Sequence, residues 1–352
     1  MTAPRAMAFA VPGDITTVTG GYLYARRLAE ALHARGIDVQ PMPLGASFPH
    51  PTGADMADAL DRLAALPAEC PALVDGLAYG ALDSARLAQV RAPLVALVHH
   101  PLALEPGLEA AQARTMAARE TANLALARHI VVPSPHIARL LGSDYGVASE
   151  RISVAQPGAT PSGHAEPKPE TPPLILSVGI LARRKGHDVL LRALAQIADL
   201  DWRAEIVGRV HEPDTARALT DLRADLGLVD RVHIAGEVPQ DRLDTLYAGA
   251  TIFALATRYE GYGIVFAEAM GHGLPIVSTR AGAVPDTVPP EAGLLVPPVE
   301  ATAFGGALRQ MLGDAALRDR HAAGARRAAA ALPGWDAAAA VVAGALFGPA
   351  SR

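Results

Sequence analysis

The stretch Arg258-Tyr-Glu-Gly-Tyr-Gly-Ile-Val-Phe-Ala-Glu-Ala-Met-Gly-His-Gly-Leu-Pro-Ile-Val-Ser-Thr279 is the most informative part of the chain. Apolar runs on either side, Thr251–Ala256 and Leu274–Ser278, each predict a buried strand. The glycines between them predict a turn that opens a helix. Glu260 then follows the carboxyl end of a strand, and Glu268, eight positions later, lies about one turn into the helix.

Two carboxylates beside a helix N-terminus favour a ligand that carries both negative charge and hydroxyl groups. The free N–H groups and the positive end of the helix dipole favour an anion. Ionised carboxylates accept hydrogen bonds from hydroxyls. The pattern therefore indicates a sugar nucleotide, and the alternative is a pair of solvated helix glutamates.

This stretch resembles glycosyltransferase family 4, the retaining transferases with the two-domain GT-B fold. The family's E-x7-E pattern and the G-x-P-[IV]-[IV] after it are matched by Glu260, Glu268, Gly273, Pro275, Ile276 and Val277. The resemblance implies that Glu260 holds hydroxyls of the transferred sugar and that Glu268 accepts hydrogen bonds from the ribose. It also implies donor contacts from the backbone at the helix start, at Gly261, Tyr262, Gly263, Ile264 and Val265.

A second match follows the predicted strand Leu174–Val178, where the chain reads Gly-Ile-Leu-Ala-Arg-Arg-Lys-Gly. It resembles the family's G-R-L-x-x-[RK]-K-G diphosphate loop. Arg184 and Lys185 match the basic pair, which is implied to neutralise the departing nucleoside diphosphate. An ordinary basic turn before a helix is the alternative. Ile180 stands where the family often has arginine. Three alternatives stay open: Arg183 or a neighbouring group makes that phosphate contact, catalysis is slower, or the donor is held differently.

The nucleobase is implied to bind backbone groups at Val238, in the loop Gly236-Glu-Val-Pro239. Backbone recognition leaves uracil, guanine and adenine all open. The next predicted helix, Asp241–Ala248, carries the pattern L-x-x-L-Y-A-x-A and is expected to serve as scaffold.

The N-terminal half resembles the family more loosely. Gly20 and Gly21 precede a predicted helix and match a Gly-Gly loop that lies against the donor phosphates and the acceptor. His99 ends the predicted strand Leu94–His99 and is implied to contact the donor sugar, with His100 as the second choice. A histidine at a strand end can also be purely structural.

Aliphatic runs alternate with alanine-rich helical patterns, which predicts an α/β protein with doubly wound parallel sheets. The expected GT-B architecture is two Rossmann-like domains that face a central cleft. Residues 1–160 form the expected acceptor-binding domain and 174–332 the nucleotide-sugar-binding domain, with a proline-rich linker at 161–173. A final helix at about 333–352 is expected to complete the first domain.

The strands expected from the pattern are Met7–Val11, Val39–Pro41, Ala72–Val74, Leu94–His99, Ile130–Pro133, Ile152–Ala155, Leu174–Val178, Arg203–Val207, Val232–Ala235, Thr251–Leu255, Pro275–Ser278 and Leu294–Val296. The expected helices include Gly21–Arg35, Ala54–Ala65, Ala81–Gln89, Pro106–Ala127, Pro135–Leu141 and Val189–Ile197. Strands and helices therefore alternate through both halves of the chain.

Composition narrows the class further. The 352 residues suggest two domains, and a formal charge of −5 argues against a nucleic-acid partner. The single cysteine, Cys70, excludes an internal disulfide framework. No targeting segment or bilayer-length apolar run is found, so a cytoplasmic protein is expected, with peripheral contact to the inner face of the membrane left open. No metal or other cofactor is expected, and Asp199-Leu-Asp201 is interpreted as a solvated turn.

The predicted function is retaining transfer of a sugar from a UDP- or GDP-sugar to an acceptor hydroxyl on a glycan, lipid or small molecule, in cell-envelope glycan or glycolipid synthesis. The predicted catalytic set is Glu260, His99, Arg184 and Lys185. Two alternatives stay open: a GT-B sugar-nucleotide epimerase, and a catalytically weak or inactive partner protein that binds sugar nucleotides. The acceptor and the oligomeric state are not determined by the sequence.

Overall fold

The computed structural model describes residues 5–17, 20–105, 107–158 and 170–348. Most of the predicted linker, at 161–169, lies outside these residues. The strands are β1 Arg5–Pro12, β2 Ile37–Leu44, β3 Ala72–Asp75, β4 Leu94–Leu97, β5 His129–Val132, β6 Ile152–Val154, β7 Leu174–Val178, β8 Arg203–Val207, β9 Val232–Gly236, β10 Ile252–Leu255, β11 Ile276–Thr279 and β12 Gly293–Val296. The helices are α1 Gly20–Ala34, α2 Gly53–Ala64, α3 Gly76–Tyr79, α4 Ser84–Leu87, α5 Ala110–Leu126, α6 Pro135–Tyr145, α7 His187–Ala195, α8 Pro213–Asp225, α9 Gln240–Gly249, α10 Ile264–Gly271, α11 Val284–Thr287, α12 Ala301–Gly313, α13 Ala315–Ala331 and α14 Trp335–Phe347.

The chain divides into two compact units. Unit 1 comprises Met1–Gly158 together with Pro333–Arg352, and unit 2 comprises Ala159–Leu332. Each unit contains one six-stranded sheet, in the order β2-β1-β3-β4-β5-β6 in unit 1 and β12-β11-β10-β7-β8-β9 in unit 2. Neighbouring strands pair in parallel in both sheets. The predicted pair of doubly wound parallel sheets is therefore confirmed.

Both faces of the unit 2 sheet are apolar. On β7, Ile175 packs into one buried cluster, while its neighbours Leu174 and Leu176 pack into the cluster on the opposite face. On β10, Ile252 and Phe253 divide between the same two clusters. Successive side chains of a strand point to opposite faces, so a strand covered on both sides is apolar at every position. This arrangement fixes where each strand ends, and it positions the loops that follow.

Strand β2 is longer than its sequence suggests. The prediction covered Val39–Pro41, but the strand runs from Ile37 to Leu44 and pairs with β1 along its whole length. Prolines normally argue against a strand because they lack an N–H group. Here Pro41 and Pro43 alternate on an edge strand, so both missing N–H groups fall on one side of the backbone. The other side remains free to pair with β1.

Two predicted helices begin or end elsewhere. The helix expected at Ala81–Gln89 is only the short α4, because the side chain of Asp83 accepts a hydrogen bond from the Arg86 N–H at 2.9 Å and starts the helix there. The helix expected from Pro106 begins at Ala110 instead, after Glu109, whose N–H donates to the Gln112 side chain. Side-chain caps moved both boundaries.

The last helix, α14, belongs to unit 1. It packs against α1, where the Trp335 ring meets the Tyr24 ring edge-on at a centroid distance of 5.4 Å. The Tyr24 hydroxyl donates to the carbonyl of Ala155 at 2.8 Å, which ties α1 to the loop after β6. The end of the chain thus contributes an apolar helix to the core of unit 1.

In the part of the chain that the structure describes, no single helix is long and apolar enough to cross a bilayer. Helices α13 and α14 reach that length and composition only when they are taken together. Helix α14 buries Ala338, Ala339, Val342 and Leu346 within the protein.

Candidate functional site

The order of the unit 2 sheet reverses between β7 and β10. The chain continues from β7 to β8 and β9 on one side, and from β10 to β11 and β12 on the other. In open α/β sheets, ligands bind at the carboxyl ends of the strands at such a switch point. The loop after β7 carries Arg184 and Lys185, and the segment after β10 carries Glu260. The fold therefore brings together two sequence motifs that lie 75 residues apart.

A buried ion pair joins these two segments. The ammonium Nζ of Lys185 lies 2.6 Å from Oε1 of Glu260, and the two residues are 9% and 4% exposed. The Thr257 hydroxyl lies 3.1 Å from the same carboxylate oxygen. Arg184 approaches the other oxygen, with its Nη1 3.6 Å from Oε2. Two cations and one carboxylate leave a net charge of about +1, which suits a ligand that carries both negative charge and hydroxyls.

The electrostatics of this pair keep the carboxylate ionised. Burial alone would raise the pKa of Glu260, but the charges of Lys185 and Arg184 outweigh it and hold that pKa below its ordinary value. Burial lowers the pKa of Lys185, the Arg184 charge adds to that effect, and Glu260 opposes it. At neutral pH Glu260 is therefore a hydrogen-bond acceptor with no proton of its own to give.

A second ion pair fixes the basic loop. The guanidinium of Arg258 makes two hydrogen bonds of 2.8 Å to the carboxylate of Asp188, the second residue of α7. The backbone N–H of Arg258 donates to the carbonyl of Arg184 at 2.8 Å. In return, Nη1 of Arg184 donates to the carbonyl of Tyr259 at 3.1 Å. These contacts position the cations, and the sequence reasoning did not identify Arg258 or Asp188.

If the site catalyses the sugar transfer expected from the sequence, Arg258→Ala is expected to reduce its rate about tenfold, less than the ~10²-fold that a 1 Å misplacement can cost. The substitution leaves Arg184 and Lys185 in place but removes the contacts that hold their loop. Arg309→Ala is the matched control, because Arg309 makes a similar two-bond pair with Asp199 at an exposed position. Steady-state kinetics of both variants check the expectation. Equal rates for the two variants would contradict the positioning role.

The helix α10 begins at Ile264, as the glycine pattern predicts. Gly263 occupies the N-cap in the left-handed region, with φ 86°, and a Cβ there would meet the ring of Phe266. Tyr262 is buried, and its carbonyl accepts a hydrogen bond of 2.7 Å from the Thr287 hydroxyl. Gly261, Ile264 and Val265 are half-buried. The residues predicted to make backbone contacts therefore lie at the start of α10, close to Glu260 in the chain.

Glu268 is the fifth residue of α10 and contacts a tyrosine on α9. The hydroxyl of Tyr247 donates to Oε2 of Glu268 at 3.0 Å. Burial raises the pKa of Glu268, the Tyr247 hydrogen bond lowers it, and the nearby Asp244 raises it. The helix that holds Tyr247 was predicted to be scaffold only, and its contact with Glu268 is an addition. No local spacing signals this contact, because the partners are 21 residues apart on separate helices.

The loops after β8 and β9 complete this edge of the sheet. Val238 follows β9 and is partly buried against the core. The loop after β8 lies against the Ile180 loop, where the N–H of Leu181 donates to the carbonyl of Arg209 at 2.8 Å. Nε of Arg209 is buried and finds no acceptor among the described residues. Arg183, on the Ile180 loop, is exposed. Arg209 lies on the neighbouring loop, and it was not identified from the sequence.

The predicted residues of unit 1 lie at the carboxyl edge of its own sheet. His99 follows β4, and its Nε2 lies 3.6 Å from Oδ2 of Asp75, the last residue of the neighbouring strand β3. The ring of Tyr24 meets His99 edge-on at 5.2 Å. Burial raises the pKa of Asp75 to about 6 and lowers that of His99 to about 4. His99 is therefore a neutral imidazole at pH 7.

His100, the second choice for the sugar contact, has a carboxylate neighbour. Nε2 of His100 lies 2.6 Å from Oε1 of Glu105. A Cβ at Gly21 would lie 3.7 Å from the His99 ring, so the start of α1 approaches His99 closely. Gly20 is the exposed first residue of α1, and the two residues before it lie outside the described part of the chain.

Two family models cover most of the chain. The model "Glycosyltransferase Family 4" matches residues 64–162, and the model "Glycosyl transferases group 1" matches residues 163–328. Both models describe glycosyltransferases, and together they match residues 64–328. Among the curated proteins similar to this chain is the D-inositol 3-phosphate glycosyltransferase of Xylanimonas cellulosilytica, 32% identical over 56% of this chain and 51% of that protein. The chain thus spans about half the length of the curated relatives it matches.

Solved structures show the same two-domain fold. The sucrose-phosphate synthase of Thermosynechococcus elongatus aligns with a TM-score of 0.80 and 23% identity over 96% of each chain. Alr3699/HepE from Anabaena, solved in complex with UDP and glucose, aligns with a TM-score of 0.75 and 18% identity over 96% of this chain and 98% of that one. The predicted GT-B fold class is confirmed.

Proposed function

We propose that this chain is a family 4 glycosyltransferase that transfers a hexosyl group from a nucleoside-diphosphate sugar to an acceptor hydroxyl, with retention at the anomeric carbon. The observation that carries the proposal is the buried Lys185–Glu260 pair, with Arg184 beside it, at the switch point of the unit 2 sheet. A nucleotide sugar carries phosphate charge and sugar hydroxyls next to each other. Lys185 and Arg184 offer positive charge to the phosphates, and Glu260 offers an ionised hydrogen-bond acceptor to the sugar hydroxyls.

Each of these side chains has a separate task in the proposed reaction. The bond from the anomeric carbon to the phosphate oxygen breaks, and a bond from that carbon to the acceptor oxygen forms on the same face. The acceptor proton passes to the leaving diphosphate. Lys185 and Arg184 stabilise the negative charge that develops on the leaving group. Glu260 orients the sugar through its hydroxyls.

In the proposed donor complex, Glu268 accepts hydrogen bonds from the ribose, and backbone groups at Val238 contact the base. UDP is the first nucleotide to test, because Alr3699/HepE was solved with UDP and glucose. The contacts assigned to His99, Gly20 and Gly21 stay predictions from the family resemblance. A cytoplasmic location stays a prediction, and peripheral membrane contact stays open.

The acceptor of the proposed reaction is a hydroxyl of a glycan, a lipid or a small molecule. The relative from Xylanimonas cellulosilytica is named for D-inositol 3-phosphate, so polyol phosphates are the first small acceptors to test. Use in cell-envelope glycan or glycolipid synthesis is the wider proposal. NMR of the glycosylated product would test retention, since an inverted anomeric configuration would contradict it.

The donor site is tested by thermal unfolding with UDP, GDP and ADP. One nucleotide at about 100 times its Kd is expected to raise Tm by roughly 5 °C, because it binds only the native state. EDTA is expected to leave that shift unchanged, since Arg184 and Lys185 supply the positive charge. Glu268→Ala is expected to abolish the shift.

Glu300→Ala is the control for this experiment, because Glu300 is an exposed residue before α12 whose side chain makes no cap hydrogen bond. It should keep the full nucleotide shift. If none of the three nucleotides stabilises the protein, the donor site is refuted. A shift that disappears in EDTA would refute the metal-free part of the proposal alone.

A further inference from the structure

The hydroxyl of Tyr247 is placed to orient Glu268. Tyr247 is 2% exposed, and its ring lies parallel to that of His272 at a centroid distance of 4.8 Å and near that of Phe253 at 6.2 Å. Its hydroxyl makes the hydrogen bond to Oε2 of Glu268, and no other hydrogen bond to this carboxylate occurs within the described ranges. A phenol held on both ring faces has one position for its hydroxyl, so it restricts the carboxylate that it binds.

We propose that Tyr247 is a positioning residue for the nucleotide: it holds the Glu268 carboxylate in the orientation that accepts the ribose hydroxyls. This inference rests on the proposed function, and it adds a residue that acts through Glu268 without touching the donor. Tyr247 donates to Oε2, which leaves Oε1 and the remaining lone pair of Oε2 to accept from a vicinal diol. Without Tyr247, the carboxylate would have to be ordered at the moment of binding, at a cost in side-chain entropy.

The protonation states support this division of roles. Burial and the Glu268 carboxylate raise the pKa of Tyr247 well above its ordinary value, so the phenol remains a donor at every working pH. Glu268 must be ionised to accept from two hydroxyls. The groups that face it are Tyr247 and Asp244 on α9, with His272 one turn further along α10 against the Tyr247 ring. Arg326 of α13 lies near Gly273, beyond the end of α10.

The direction of the pH effect follows from these groups. Nucleotide affinity depends on ionised Glu268, so it falls as the pH drops through the pKa of Glu268. The Tyr247 hydrogen bond lowers that pKa, while burial and Asp244 raise it. Tyr247→Phe removes the lowering contribution and leaves the others. The acid side of the affinity profile is therefore expected to move to higher pH in the variant.

The experiment is calorimetric titration of UDP and of 2′-deoxy-UDP into the full chain and its Tyr247→Phe variant, between pH 5 and pH 8. Wild type is expected to prefer UDP, and Tyr247→Phe is expected to bind UDP about tenfold more weakly, as for the loss of one hydrogen bond to a charged group. Binding of 2′-deoxy-UDP should change less, so the preference for UDP shrinks. Phenylalanine keeps the ring stack, and a thermal melt verifies folding.

Tyr79→Phe is the matched control, because the Tyr79 hydroxyl is also buried but has no hydrogen-bond partner in the described part of the chain. It should leave UDP affinity unchanged. In a Glu268→Gln background, removal of the Tyr247 hydroxyl should have little further effect on UDP binding. His272→Phe keeps an aromatic ring against Tyr247 and removes the imidazole, so it tests whether His272 itself moves the pH profile, and it is expected to leave the midpoint in place.

Two results would overturn the inference. In the first, UDP binds wild type and Tyr247→Phe with the same affinity, the same preference over 2′-deoxy-UDP and the same pH midpoint. In the second, Tyr247→Phe weakens the binding of both nucleotides equally, with no change in preference or midpoint, as a purely structural role would. If wild type binds no nucleotide at all, the proposed function fails as well, and the two failures are thereby distinguished.

Discussion

Lys185→Ala is expected to slow glycosyl transfer by a factor of about 10²–10³, the range seen when a preorganised charge is removed from a developing anion. The same substitution is expected to lower the free energy of unfolding by about 3–5 kcal/mol, because it leaves the 4% exposed Glu260 without its partner at 2.6 Å. Single-turnover kinetics and denaturant unfolding measure the two effects separately.

Two further variants separate the catalytic loss from the loss of stability. Arg217→Ala removes a 72% exposed cation on α8, away from the candidate site, and should change neither quantity much. Lys185→Met combined with Glu260→Gln removes both buried charges, so it should recover most of the unfolding free energy while transfer stays slow. A Lys185→Ala enzyme within tenfold of the wild-type rate would contradict the role of Lys185 in stabilising the leaving group.

Gly186→Ala is expected to abolish nucleotide binding and to destabilise unit 2 by more than 3 kcal/mol. Gly186 follows Lys185 directly and has φ 67°, where an L-residue costs about 1–2 kcal/mol. In addition, a Cβ at this position would overlap the carbonyl oxygen of Ala256, which lies just after β10. The loop would have to move away from the strand, and Lys185 would move with it.

Gly227→Ala isolates the contribution of the backbone conformation. Gly227 also has φ 67°, but nothing lies within 4 Å of the position that its Cβ would take. It should therefore show the conformational cost alone, about 1 kcal/mol, and keep nucleotide binding. Comparable losses in the two variants, measured by thermal unfolding and UDP titration, would refute the close approach of the Lys185 loop to β10.

Much of the architecture was predictable from local pattern. The sequence pattern identified every strand of the two sheets within the described residues, and the inner strands are the clearest, because a strand buried on both faces must be apolar at successive positions. Boundaries were less predictable where a single side chain or an edge position decides them. Asp83 shortens α4, and the unpaired side of β2 tolerates Pro41 and Pro43.

The same division holds for the candidate site. The motifs around Glu260, Glu268 and Lys185 are contiguous in sequence, so their resemblance to a sugar-nucleotide site is visible without coordinates. The tertiary contacts that hold these motifs in place are not visible in the sequence. Asp188 pairs with Arg258 at a separation of 70 residues, and Tyr247 reaches Glu268 from another helix.

The local amino-acid sequence was enough to determine which segments become strands, where glycines precede helices and which charged side chains can bind a ligand. It could not determine which segments become neighbours. That is decided by the parallel pairing of β7 with β10, which places Lys185 against Glu260, 75 residues further along the chain. Such pairing depends on the burial of both sheet faces at once, a property of the assembled core that no short stretch of sequence contains.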